Sequence, residues 1–182
     1  MSDTEAHSTP DYLLTEADTM ILNDEGRAVV QTLREAEKAV RALQQCWAGA
    51  CLAGLLQRNV WLQAARITLT ATFDNYDQGG SFRIVSACVT QARPVPDMAL
   101  PASLVRDGSF NDFGAVALIE DDLDANAYDL YTAFNSAPND CGDLVLDVDR
   151  SAIAHLLNGG PISGAAAYLA LFPQATSNAA CA

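Results

Sequence analysis

The chain has 182 residues, half of them apolar and 18% charged, which excludes a disordered protein and suits a globular chain with a sizeable core. Ten basic residues against 23 acidic ones give a formal charge of −13, which argues against direct binding to nucleic acid, a task that needs surplus Lys and Arg. No apolar run approaches the ~20 residues of a membrane span, so no membrane association is expected.

Residues 1–20 read as a polar, flexible leader. Its opening, MSDTEAHSTPD, has no apolar segment of the secretory kind, so a cytoplasmic location is expected. A single α+β domain is expected over 21–174, with a tail at 175–182. From Asp24, a plausible N-cap, the residues Val29, Leu33, Ala36, Val40, Leu43 and Trp47 recur at steps of four and three. That is the buried stripe of an amphipathic helix, and packing on the chain's own sheet is expected to cover it. Its rhythm also matches a coiled-coil seam, which leaves pairing with a second chain, a homodimer included, as another reading. After Trp47 the polarity drops, and a more deeply buried helical stretch should run to about Leu62, with Gly49 and Gly54 permitting a break or a close helix contact.

The period then switches from near 3.6 to 2. Ile67, Leu69, Ala71 and Phe73 alternate with Thr68, Thr70, Thr72 and Asp74, and after the loop Asn75–Gly80 the residues Phe82, Ile84, Ser86 and Cys88 alternate again. Two such runs joined by Asp, Asn and Gly predict an antiparallel hairpin. Pro94, Pro96 and Pro101 make the next stretch a connector. A helix should start at Asn111 or Asp112 and bury Val116, Ile119, Leu123, Ala127, Leu130 and Phe134. Gly142 to Asp149 is again strand-like, with Leu144, Leu146 and Val148 inward; Ser151 to Leu157 fits either strand or helix, and a last short helix follows Gly159–Gly160–Pro161. The fold expected is α+β: N-terminal helices packed on a small antiparallel sheet, with an acidic helix between hairpin strands.

Chemistry-bearing clusters are sparse. Cys46, Cys51, Cys88, Cys141 and Cys181 are odd in number, widely spaced and without a CxxC pair, so they read as reduced, small buried hydrophobes rather than zinc ligands or disulfides. Ser151 and His155 stand at helical spacing, but no nucleophile elbow accompanies them. The chain carries neither a P-loop nor a dinucleotide fingerprint, and no cofactor is expected. Asp74, Asp77, Asp147 and Asp149 would form a metal-dependent hydrolase site only if the hairpin loop met the later strand, and the EF-hand pattern fails from both Asp122 and Asp147.

The acids are concentrated: 12 Asp and Glu lie between Asp97 and Arg150 against two Arg. Glu120, Asp121, Asp122 and Asp124 are expected in the first turns of a helix, where its dipole favours carboxylates. Asp143, Asp147 and Asp149 fall on one strand face. With Tyr76 and Asp77 of the hairpin loop, these seven acids are the expected contact surface for a basic protein partner, as one negative field if helix and strand border the same side of the sheet.

The segments ITLTATFDNYDQGGSFRIV, LDANAYDLYTAF and GDLVLDVDRSAI resemble, in that order, a family of uncharacterised bacterial proteins found mainly on plasmids and integrated elements. Together they span roughly 90 residues, and Asn75, Tyr76 and Gln78 stand within a turn that in the family reads Asp–Gly-x-Gly-Asp-Ser-Gly. The resemblance implies an accessory gene of the kind involved in conflict between mobile elements and hosts. The expected function is accordingly non-enzymatic binding, of inhibitor, DNA-mimic or immunity type.

Overall fold

The computed structural model describes residues 9–16, 18–76, 79–135 and 141–173. Its first elements are two three-residue strands, β1 (Tyr12–Leu14) and β2 (Met20–Leu22), paired antiparallel. Helix α1 (Asp24–Arg58) follows, a single 35-residue helix where two were expected. Asn23, not Asp24, caps it. Its Oδ1 accepts from the Gly26 N–H at 2.8 Å and the Asp11 N–H at 3.1 Å, while Nδ2 donates to the Thr9 carbonyl at 2.8 Å. A carboxylate could not make that last bond, which is why the amide holds the position. By internal contacts the chain forms two units, Met1–Ala42 and Leu43–Ala182.

The α1 stripe departs from expectation. Val29, Leu33, Ala36, Val40 and Leu43 are exposed, Leu43 at 71%, and only Trp47 is half-buried. Within Met1–Ala42 the other described secondary structure is the β1–β2 pair, which is too small to cover five helical turns. Further along, the helix enters a core: Ala48, Leu52, Ala53, Leu55 and Leu56 are buried.

In Leu43–Ala182 the sheet is built from β3 (Leu62–Asn75) and β4 (Ser81–Pro94), the expected hairpin, with a register shift between Arg66 and Ile67. A second hairpin follows the proline connector: β5 (Val105–Arg106) and β6 (Ser109–Phe110), turning at Asp107 and Gly108, both at positive φ. Helix α2 (Asp112–Asp124) starts where predicted, with the Asn111 Oδ1 accepting from the Gly114 N–H at 3.1 Å. The one long helix expected here is two, because the chain breaks at Ala125–Asn126 before α3 (Ala127–Phe134). Strand β7 (Gly142–Asp149) then pairs antiparallel with β3, giving the order β4-β3-β7. Helices α4 (Arg150–Leu157) and α5 (Gly164–Leu171) close the described chain, so Ser151 to Leu157 is helical.

Period-2 alternation decides the two faces of the sheet. Ala65, Ile67, Leu69, Ala71, Val89, Leu146 and Val148 face a core shared with Ala115, Ile119, Leu123, Leu130, Ile153 and Ala167 from the helices. Arg66, Thr68, Thr70, Ser86, Cys88, Asp143, Val145 and Asp147 lie on the opposite face, paired across strands in register. Cys88, on this face, is exposed, as is Cys141 just before β7, against the expectation of buried thiols; Cys46 and Cys51 are half-buried, burial pushes the Cys51 thiol up, and Cys181 lies outside the described residues. Arg150 ties α1 to the sheet: its Nε donates to the Leu62 carbonyl at 2.7 Å and its Nη2 to the carbonyls of Asn59, at 2.8 Å, and Leu56. A cation at the carbonyl end of a helix is favoured by the helix dipole.

Candidate functional site

The seven acids and two loop residues expected to form one surface occupy three places. Glu120, Asp121, Asp122 and Asp124 lie in the last turns of α2, not the first. The break at Asn126, whose N–H returns to the Leu123 carbonyl, ends the helix just after them. They therefore meet the negative end of the dipole and need other partners. Glu120 finds one in the sheet: its Oε1 accepts the Val89 N–H of edge strand β4 at 2.8 Å, filling the place of a neighbouring strand's carbonyl. Asp122 Oδ2 accepts from Asn59 Nδ2 at 2.9 Å and from Arg58 Nε at 3.5 Å. Asn59, buried at the end of α1, also accepts from Trp61 Nε1 at 3.2 Å. Asp121 and Asp124 are exposed and take no part in this network.

Asp143, Asp147 and Asp149 do share one strand face, at the other edge of the sheet from β4. Register sets their partners. Thr70 donates its hydroxyl to Asp143 Oδ1 at 2.7 Å. Arg66 grips Asp147 with two bonds, at 2.7 and 3.0 Å, and that hydrogen bond holds the Asp147 carboxyl below its usual range. Asp149 caps α4, accepting from the Ser151 N–H at 2.8 Å and Oγ at 2.7 Å, and receives Gln63 at 2.9 Å and Arg93 at 3.4 Å. Burial alone would raise its pKa; these donors outweigh burial and lower it. The two ion pairs line a cavity of about 160 Å³ together with Ala64, Ala65, Gln91 and Val148.

Tyr76 sits at the far end of the hairpin, its ring tilted by 36° against that of Phe82 with centroids 4.5 Å apart, and Asp77 lies outside the described residues. The three groups are not one field: α2 packs along β4 with its apolar side in the core, whereas the β7 acids stand on the uncovered face at the opposite edge.

The hydrolase arrangement does not assemble either. Asp74 pairs with Phe82 at one end of β3, and Asp147 pairs with Arg66 eight residues away, a separation of roughly 26 Å at the rise of a strand. Among the described residues no group of three or more His, Cys, Asp or Glu side chains converges as a metal site. The Ser151 hydroxyl donates to Asp149 rather than to His155, which is exposed.

Two features escaped the sequence reading. One is the exposed α1 stripe, already described. The other is an open groove of about 350 Å³ beside β7, lined by Phe134, Leu144, Leu146, Leu171 and Phe172. Phe134 packs edge-on against Phe172 at 4.8 Å and against Tyr168 at 5.5 Å, which makes its floor aromatic. No family model, curated protein or solved structure matches the chain. Among the described residues, no helix is long and apolar enough to cross a membrane.

Proposed function

We propose that this is a non-enzymatic, cytoplasmic binding protein that engages a basic protein partner, such as a nucleic-acid-handling defence enzyme or a toxin, in the manner of an inhibitor, DNA mimic or immunity protein. The observation that supports it is an uncompensated negative charge. Leu43–Ala182 holds 14 acidic residues and six arginines. Five of those arginines are already engaged: Arg58, Arg66 and Arg93 in ion pairs, Arg150 on backbone carbonyls, and Arg83 over the rings of Tyr128 and Tyr131. From Asp107 to Asp149 there are 11 acidic residues and no Lys or Arg. Such a surplus attracts cationic surfaces and speeds their encounter. The resemblance to proteins of plasmids and integrated elements suits an accessory gene with this role.

The test is salt-graded elution of host proteins from the immobilised chain, followed by association kinetics of the eluted protein. Binding should weaken steeply between low and high salt, and neutralising Asp121→Asn together with Asp124→Asn should slow association several-fold. Association that is indifferent to salt and to both substitutions would refute the electrostatic reading.

A second reading is favoured by the exposed α1 stripe: a structural subunit that pairs through this helix, as a homodimer or with another chain. Val29, Leu33, Val40 and Leu43 keep heptad spacing while uncovered, alongside exposed Tyr12, Leu14 and Met20 of the hairpin. Sedimentation velocity of the wild type and of Leu33→Glu, which sits on an exposed position and should fold, decides it. A wild-type mass that stays monomeric at high concentration removes the homodimer.

A further inference from the structure

The sheet is asymmetric at its two edges. Helix α2 packs along β4, and its Glu120 accepts the Val89 N–H. The outer edge of β7, eight residues long, has only β3 as a strand partner among the described residues. Its unpaired backbone is a template for another strand. Along it runs the groove, bounded by residues 144–147 of β7 and by Phe134, Leu171, Phe172 and Pro173, so that apolar side chains of a strand added at this edge have the aromatic floor to enter.

We propose that the outer edge of β7 accepts an extended segment of a partner protein as a fourth strand, alternating aliphatic residues that enter the groove with Lys or Arg residues that face Asp143 and Asp147. This deepens the basic-partner reading and rests on it. The alternation follows from the pleat: side chains of an added strand that lie opposite Asp143, Val145 and Asp147 stay on the uncovered face, and the two between them turn into the groove. The pattern is thus basic, aliphatic, β-branched, aliphatic, basic. Val145, 52% exposed, is the apolar neighbour for the middle residue. Asp143 has one hydroxyl donor, on Oδ1, which leaves its carboxylate able to accept more. The Arg66–Asp147 pair is solvent-exposed on both sides, so a second cation can share it at little cost.

Charge also selects against the competing occupants. Two β7 strands paired about Val145 would set Asp143 of each copy opposite Asp147 of the other, and like charges directly opposed are destabilising. Residues 174–182 read QATSNAACA, with neither a basic residue nor a large aliphatic one, and so lack the required pattern.

The experiment uses the full chain and a fluorescein-labelled peptide, Ser-Arg-Ile-Thr-Val-Arg-Ser, followed by anisotropy at low salt and by hydrogen exchange of the protein. Saturable binding is expected, at least tenfold tighter than for a peptide with proline in place of the central threonine, and at least tenfold tighter than for one with both arginines replaced by aspartate. Exchange should slow at 143–148 when the first peptide is bound. Equal binding of the proline peptide would mean charge attraction without a strand, and would overturn the proposal. So would an unchanged exchange rate at β7, or edge amides already protected in the free chain: concentration-dependent protection would assign the edge to a second copy, concentration-independent protection to the chain itself. If no peptide binds while the salt-eluted partner still associates more slowly with the Asp121→Asn, Asp124→Asn variant, the fourth strand is wrong and the basic-partner reading stands; if that partner too is indifferent to charge, both fall.

Discussion

Gly49→Ala tests the close crossing of α1 and α5, and its sign is informative because two effects oppose. A Cβ at Gly49 would stand 2.1 Å from the Gly164 carbonyl oxygen and 2.5 Å from the Tyr168 nitrogen; one at Gly164 would stand 2.0 Å from the Cys46 carbonyl oxygen. All three are backbone atoms, so α5 must move by about an ångström, a gap that forfeits a quarter to a half of each contact it loosens. Helix α5 buries Ala167, Tyr168 and Leu171. With two large side chains worth ~1.5–3 kcal/mol each on burial, that loosening costs about 1–2 kcal/mol, and overpacking strain adds ~1–3 kcal/mol. Against this, alanine gains ~1 kcal/mol of helix propensity over glycine. The net expectation is a loss of about 1–4 kcal/mol. Gly54 is the internal control: its Cβ would meet only the flexible end of Arg58, at 3.2 Å, so Gly54→Ala should gain ~0.5–1 kcal/mol. Urea unfolding followed by tryptophan fluorescence reads both, through half-buried Trp47 and buried Trp61. If Gly49→Ala is as stable as Gly54→Ala, the helices are not in backbone contact and the reasoning fails.

Arg150→Met removes a guanidinium that satisfies three carbonyls and should cost ~2–4 kcal/mol in urea unfolding, with Arg150→Lys recovering part of it because one ammonium cannot reach all three; a loss under ~0.5 kcal/mol would mean that water replaces the clamp. Glu120→Ala strips the acceptor from the Val89 N–H and should destabilise by ~1–3 kcal/mol, whereas Asp121→Asn with Asp124→Asn should leave stability unchanged or slightly higher by relieving like-charge repulsion. Loss of stability in the double Asn variant equal to that of Glu120→Ala would make all of these acids structural. For pH, the folded pKa values of Asp147 and Asp149 lie below their unfolded ones, so their contribution is present above the unfolded value of about 3.9 and is lost as pH falls through the folded values. Urea midpoints of Asp149→Asn, which keeps a good N-cap residue, should therefore decline less between pH 5 and acid than those of the wild type, and parallel declines would contradict it.

What the sequence made legible is what local pattern controls. Asn111 begins a helix because its side chain can take a backbone N–H, and alternation alone places Leu146 and Val148 inward. The stretch 151–157 fits strand or helix by its pattern; the signal that decides it is Asp149, whose bond to the Ser151 N–H starts α4. The β5–β6 hairpin was not expected, although Asp107–Gly108 is a two-residue pair that tolerates positive φ. Other features depend on what lies across from a residue. The α1 stripe from Val29 to Leu43 has the spacing of a buried face, yet periodicity says only that a face can be covered, not that the same chain covers it. The place of the acids turned on both ends of α2: a start at Asp112 already puts Glu120 more than two turns in, and the break at Asn126, whose side chain bonds back to the Asp122 carbonyl, makes those turns the last. The groove beside β7 joins Phe134, Leu144 and Leu171, which no local window contains.

The acids divide by what surrounds them, and that division bears on how binding could be specific. Glu120, Asp122 and Asp149 each serve a donor on another element, so their removal is felt first by the fold. Asp121 and Asp124 serve none among the described residues and are free to act at a distance, but a field screened within ~8 Å at physiological salt distinguishes cations from anions and little else. Specificity has to come from shorter-range geometry. An open strand edge supplies it, because main-chain hydrogen bonds fix register and the pleat then dictates which partner residues meet Asp143, Val145 and Asp147 and which enter the groove. On the reading proposed above, the free carboxylates govern how fast a basic partner arrives, and β7 governs which one stays. Substitutions at Asp121 and Asp124 then belong to the on-rate, and those that change the pattern of the incoming strand belong to the off-rate.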